Sequence, residues 1–83
     1  MIEKLREEID KLDNEIIKLL DQRFDCTHKI GEEKKALKAN VLDSSREQKI
    51  LDKIDALSSS EHSEYIKEIY KKIMEQSRNE QGK

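Results

Sequence analysis

Proline is absent from this 83-residue chain, glycine occurs only at Gly31 and Gly82, and cysteine only at Cys26. So little turn-forming material excludes a sheet-rich fold, and the prevalence of Glu, Lys, Leu and Ile favours helix throughout. A single cysteine rules out an intramolecular disulfide and fits a reducing cytoplasm; on the apolar seam described below it is expected to be a small buried thiol. Aromatics number three, and 34% apolar content stands against 43% charge. One chain of this size cannot bury a generous core from that stock, so a partner is expected to cover part of it. No apolar run approaches the ~20 residues that span a bilayer, and no signal-peptide core follows Met1, so no membrane association is expected. The formal charge of -2, with both signs interspersed, supplies no polybasic patch for nucleic acid or a membrane surface. Neither His28 nor His62 has a Cys or His at ligand spacing, and no metal site is expected.

What is present is a helical pattern. Leu5, Ile9, Leu12, Ile16, Leu19, Arg23, Cys26, Ile30, Glu33 and Leu37 follow one another at 3/4 spacing without a break, widened by Ile17 and Leu20. This predicts one long first helix of about 50 Å, more than two short helices can cover, so most of its stripe is expected to pack on a second copy. Gly31 inside that pattern costs ~1 kcal/mol against alanine, which close approach of a neighbouring backbone would explain. Periodicity fades over Lys38 to Leu42. Ser44 with Glu47 three residues later fits a capping box opening a second helix through Ile50, Leu51, Ile54 and Leu57. The Ser58-Ser59-Ser60 run is expected to end it and to cap a third helix bearing Ile66, Ile69, Tyr70, Ile73 and Met74 on one face. Together these predict a single all-α domain over residues 1–83, with three helices per chain.

Polar residues interrupt the apolar faces. Arg23 stands where the seam calls for a leucine, and Lys34, eleven residues on, lies ~20° round and ~16 Å along the same helix, so both cations face one groove. On the third helix the stripe from Ile66, Tyr70 and Ile73 continues as Ser77 and Gln81. Arg46 falls in the first turn of the second helix, where the macrodipole disfavours a cation unless an anion is near. Inward-facing charges cost several kcal/mol unless paired, so these cations need carboxylates or a bound anion. Taken singly, each has a plainer account. Arg23 fits a register-setting or snorkelling arginine, Glu47 a capping residue, Lys34 a solvated face, Ser77 and Gln81 a solvated helix end, and Arg6 a solvated flank of the seam.

Taken together, the pattern L-R-x-x-I-D-x-L-D from Leu5, then Arg23 followed by Gly31 and Lys34, then Asp43-x-x-Arg46-Glu47, with Ser77 and Gln81 behind, resembles the all-helical AroQ-type chorismate mutases. The likeness runs from Leu5 to Gln81. It implies an intertwined helical homodimer with long first helices paired antiparallel, and the conversion of chorismate to prephenate in the shikimate pathway toward phenylalanine and tyrosine. That pericyclic rearrangement requires no nucleophile, proton donor, metal or cofactor. By the same likeness, Arg23 and the partner subunit's Arg6 clamp the two carboxylates with help from Ser77. Lys34 and Gln81 donate to the ether oxygen, and Asp43 and Glu47 hold the ring hydroxyl, with Arg46 ordering that corner. Helix geometry is compatible with the sharing: Arg6 lies ~25 Å from Arg23 and ~100° round the same helix, so only an Arg6 from another subunit could join Arg23 at one small ligand. The alternatives are an isochorismate pyruvate lyase on the same scaffold and a non-enzymatic helical dimerisation module.

Overall fold

A computed structural model describes residues 1–83. Three helices follow in order: α1 Ile2–Leu37, α2 Ser44–Leu57 and α3 Ser63–Gln81. The 36-residue α1 is the unbroken helix that the 3/4 spacing predicts. It ends at Lys38, which adopts the left-handed conformation (φ 56°, ψ 33°) and turns its N–H back to the carbonyls of Lys34 and Lys35.

The start of α2 differs from the sequence expectation by one residue. Asp43, not Ser44, is the N-cap, and its Oδ1 accepts the Arg46 N–H at 3.0 Å. A carboxylate is the stronger acceptor at the positive end of a helix, and Ser44 moves into the first helical position. The serine run ends α2 as expected: the Ser58 hydroxyl and N–H both donate to the carbonyl of Ile54. It does not cap α3, whose N-cap is His62, without a side-chain bond. A turn closed by His62 and Ser63 N–H on the Ser59 carbonyl joins the two helices instead.

Helix α3 packs on both α1 and α2, which do not pack on each other. The face of α1 turned to α3 is Leu20, Phe24, Thr27 and Gly31, one step round from the apolar seam. Cys26 is consequently exposed, not buried as its place on the seam suggested. Ile69 likewise faces outward on α3, while Ile66, Tyr70, Ile73 and Met74 face inward. The Asp55–Lys67 bridge, at 2.7 Å, ties α2 to α3. The Asp55 carboxylate, accepting from the Lys67 ammonium, holds that lysine above its ordinary range.

Only three apolar side chains are buried, Ile50, Ile54 and Met74, all at the α2–α3 contact. The N-terminal half of α1 has no covering element: Leu5, Ile9, Leu12, Ile16 and Leu19 are each at least 50% exposed. The molecule measures 53 × 24 × 15 Å with a radius of gyration of 15.4 Å, against about 12 Å for a compact chain of this length.

Candidate active site

Where the C-terminal halves of α1 and α3 meet the start of α2, a cleft of about 340 Å³ opens, within the usual range of small-molecule pockets of about 300–1,000 Å³. Helix α1 contributes Arg23, Cys26, Thr27, Ile30 and Lys34, the α1–α2 loop Val41 and Asp43, α2 Arg46, Glu47 and Ile50, and α3 Met74, Ser77 and Gln81. Seven of the eight residues singled out from the sequence therefore share one cavity. The exception is Arg6, which lies on the uncovered half of α1 and pairs with Glu3 at 3.7 Å in solvent.

Each polar group is held by its neighbours. Arg23 Nη1 donates to Ser77 Oγ at 2.6 Å, and its guanidinium carbon stands 5.9 Å from the centre of the Tyr70 ring, a cation–π contact. Ser77 passes its own proton to the Ile73 carbonyl at 2.7 Å, so its oxygen is free to accept from Arg23. One ligand-facing guanidinium is thus aimed by a helix α3 hydroxyl and an aromatic face. Lys34 Nζ donates to the Val41 carbonyl at 2.9 Å, fixing the loop that leads into α2 and leaving further N–H donors for the cleft. Thr27 satisfies its hydroxyl on the Arg23 carbonyl at 2.9 Å.

Gln81 sits in the last turn of α3, held by three contacts. Gly31 receives its backbone at close range, His28 Nδ1 meets Glu80 Oε1 at 3.2 Å, and Lys35 Nζ donates to the carbonyl of Lys83. The close approach is the neighbouring backbone that a glycine in mid-helix suggested. Oε1 of Gln81 is buried and has no hydrogen-bond partner in the chain. A buried acceptor left unmet costs about 1–3 kcal/mol, and a half-turn of the terminal amide would exchange it for the NH₂ donor.

Arg78 was not among the residues singled out from the sequence. Its Nη1 lies 2.7 Å and 2.6 Å from the two carboxylate oxygens of Glu47, bridging α3 to α2 with both side chains partly buried. A signal for it existed, because Ile66, Tyr70, Met74 and Arg78 form an inward row at successive i+4 steps beside the row that ends in Ser77 and Gln81.

Chemically, the cleft offers an arginine and a lysine from α1, a second arginine in the first turn of α2, two carboxylates at the start of α2 and an amide from the end of α3. Such a set can grip a small anion by its carboxylates while hydrogen-bonding a hydroxyl and an ether-type oxygen. A family model described as chorismate mutase type II matches residues 5–82. Comparisons with curated proteins and with solved structures gave no match.

Proposed function

The chain belongs to the chorismate mutase type II family, which makes it an isomerase acting on chorismate, and from that premise we propose how its residues perform the rearrangement to prephenate. The observation that carries this reading is the convergence of Arg23, Lys34, Arg46, Ser77 and Gln81, with Asp43 and Glu47, on one cleft. Chorismate is a flexible dianion that reacts only from a compact conformer, and the bond that breaks leaves negative charge on the ether oxygen. Catalysis therefore reduces to holding two carboxylates at a fixed separation and placing donors where charge develops.

Arg23 takes one carboxylate, its angle set by Ser77 and Tyr70; Ser77 can also turn its proton from Ile73 to the ligand. Arg6 of the partner subunit takes the other. Lys34 supplies an ammonium N–H to the ether oxygen, and Gln81, with its amide turned to present Nε2, supplies the second donor. Glu47 and Asp43 accept from the ring hydroxyl. Because Asp43 Oδ1 already caps α2, Glu47 carries most of that contact, while Arg46 steadies the corner. The whole chain acts as one mutase domain, in an intertwined homodimer with two equivalent sites, working in the cytoplasm toward phenylalanine and tyrosine.

The test is to incubate the purified protein separately with chorismate and isochorismate, following chorismate by ultraviolet absorbance and identifying the products. Prephenate is expected from chorismate, and Lys34→Ala is expected to lower kcat by roughly 10²–10³, the usual cost of losing a donor to developing charge. Pyruvate released from isochorismate with chorismate untouched would assign the cleft to a lyase. No turnover of either would leave a helical dimerisation module, in which Arg23→Met keeps or raises stability.

A further inference from the structure

Arg78 lies outside the roles described above, and neither the residues that carry the family likeness nor the cleft lining includes it. We infer that Arg78 is a positioning residue: it fixes the Glu47 carboxylate for the substrate's ring hydroxyl and offsets its charge, so it sets selection for that hydroxyl. The inference rests on the mutase reading of Glu47 given above.

The geometry is specific. One nitrogen, Nη1, sits between both oxygens of Glu47 at 2.7 Å and 2.6 Å, so the head of the side chain is anchored to α3 and cannot leave that position without losing both bonds. Each oxygen of a carboxylate has two lone-pair directions. Arg78 occupies one on each, leaving a second on each for a hydroxyl inside the cleft. Arg78 approaches from α3 and is not itself a cleft-lining residue, whereas Glu47 is, so the cation lies behind the carboxylate as seen by a ligand. With 33% and 24% of the two side chains exposed, the pair is shielded enough to keep its geometry, and Arg78 has no other ion-pair partner. The local sequence explains the orientation: Met74, one turn earlier on the same row, is buried against α2 and directs that row at it.

The second consequence is electrostatic. Arg23, Lys34 and Arg46 line the cleft with Asp43 and Glu47, a surplus of one positive charge from this chain, to which the partner subunit's Arg6 adds a second in the mechanism proposed above. Arg78 offsets Glu47 from behind, so that the carboxylate takes nothing from that surplus. A carboxylate can thus stand in a dianion's pocket and accept from a hydroxyl without repelling the ligand that carries it.

The experiment is a double-mutant cycle on the whole chain, with chorismate as substrate and circular dichroism and thermal melting as folding controls. Arg78→Met keeps the aliphatic stem and removes the donor; Glu47→Gln removes the charge that Arg78 holds. Arg78→Met is expected to lower kcat/KM tenfold or more, mostly through KM, because the hydroxyl is bound in both ground and transition states. Arg78→Lys should recover most of the loss, and in the Glu47→Gln background Arg78→Met should cost less than threefold. Equal losses in both backgrounds would overturn the inference, since Arg78 would then act elsewhere. So would full activity of Arg78→Met beside a defective Glu47→Gln, an outcome that leaves the mutase reading of Glu47 standing. Full activity of Glu47→Gln would overturn both the role of Glu47 and this inference, and a wild-type chain that makes no prephenate would overturn the mutase reading beneath them.

Discussion

A Cβ built on Gly31 would stand 2.6 Å from the carbonyl oxygen of Gln81 and 2.7 Å from its Cα, distances no real Cβ tolerates, so the last turn of α3 can occupy its place only over a glycine. The obstructing atoms are backbone, which no rotamer change can relieve. They belong, however, to a helix end, which can lift away as a unit. Gly31→Ala is therefore expected to separate two effects. Alanine recovers about 1 kcal/mol of helix propensity in α1, offsetting the packing given up when the end of α3 lifts, so the urea midpoint should move little. Gln81 moves with that turn and leaves the place proposed for it at the ether oxygen, so kcat should fall tenfold or more. Unchanged turnover in a folded Gly31→Ala protein would show that Gln81 is not a donor in the reaction. Close packing at Gly31 was legible from the sequence, because a glycine inside a strong helical pattern asks for a reason. Which backbone supplies it was not, since Gln81 lies fifty residues away and no local spacing links the two.

At the scale of the elements, α1 stops on a residue poorly suited to the conformation it holds. Lys38 is left-handed at φ 56°, a region where glycine is the default helix terminator and other residues incur a steric cost. Its N–H and that of Ala39 close the helix on the carbonyls of Lys34 and Lys35, and the chain then turns to bring the Val41 carbonyl to Lys34. Lys38→Gly is expected to stabilise the protein by about 0.5–1 kcal/mol, read as a higher urea midpoint. A lower midpoint would mean that the flexibility glycine adds to the unfolded chain outweighs the strain relieved. The number, order and length of the helices were readable because the apolar spacing is unbroken and proline is absent. Their packing phase was not: a helix with a stripe for two neighbours does not say which edge each neighbour takes. Hence Cys26, in register on the seam, faces out beside the cleft, while Thr27, one residue on, is buried against α3. The Arg78–Glu47 bridge was missed for a related reason, since it joins two helices 31 residues apart in the chain and no short motif announces it.

For the molecule as a whole, three buried apolar side chains cannot by themselves hold 83 residues folded, and the exposed stripe from Leu5 to Leu19 is the surface from which the missing burial must come. A second copy is the occupant that the proposed mechanism needs. In an antiparallel pairing of two α1 helices, the register that sets Arg6 of one beside Arg23 of the other places the two-fold axis between Asn14 and Glu15. Leu12 then faces the partner near Ile17, and Ile9 near Leu20, so the register that completes the site also covers the stripe. In that proposed pairing site and interface would be two consequences of one alignment, and subunit mixing tests both. Arg6→Ala and Arg23→Ala chains should each be inactive alone, since every site in either homodimer lacks one clamp. Unfolded and refolded together at equal amounts, they should form heterodimers with one intact site, built from Arg23 of the first chain and Arg6 of the second. Random pairing makes half the dimers mixed, so roughly a quarter of wild-type activity should return. Size-exclusion chromatography would confirm that the mixture is dimeric; a dimeric mixture with no recovered activity would show that Arg6 does not serve the neighbouring site.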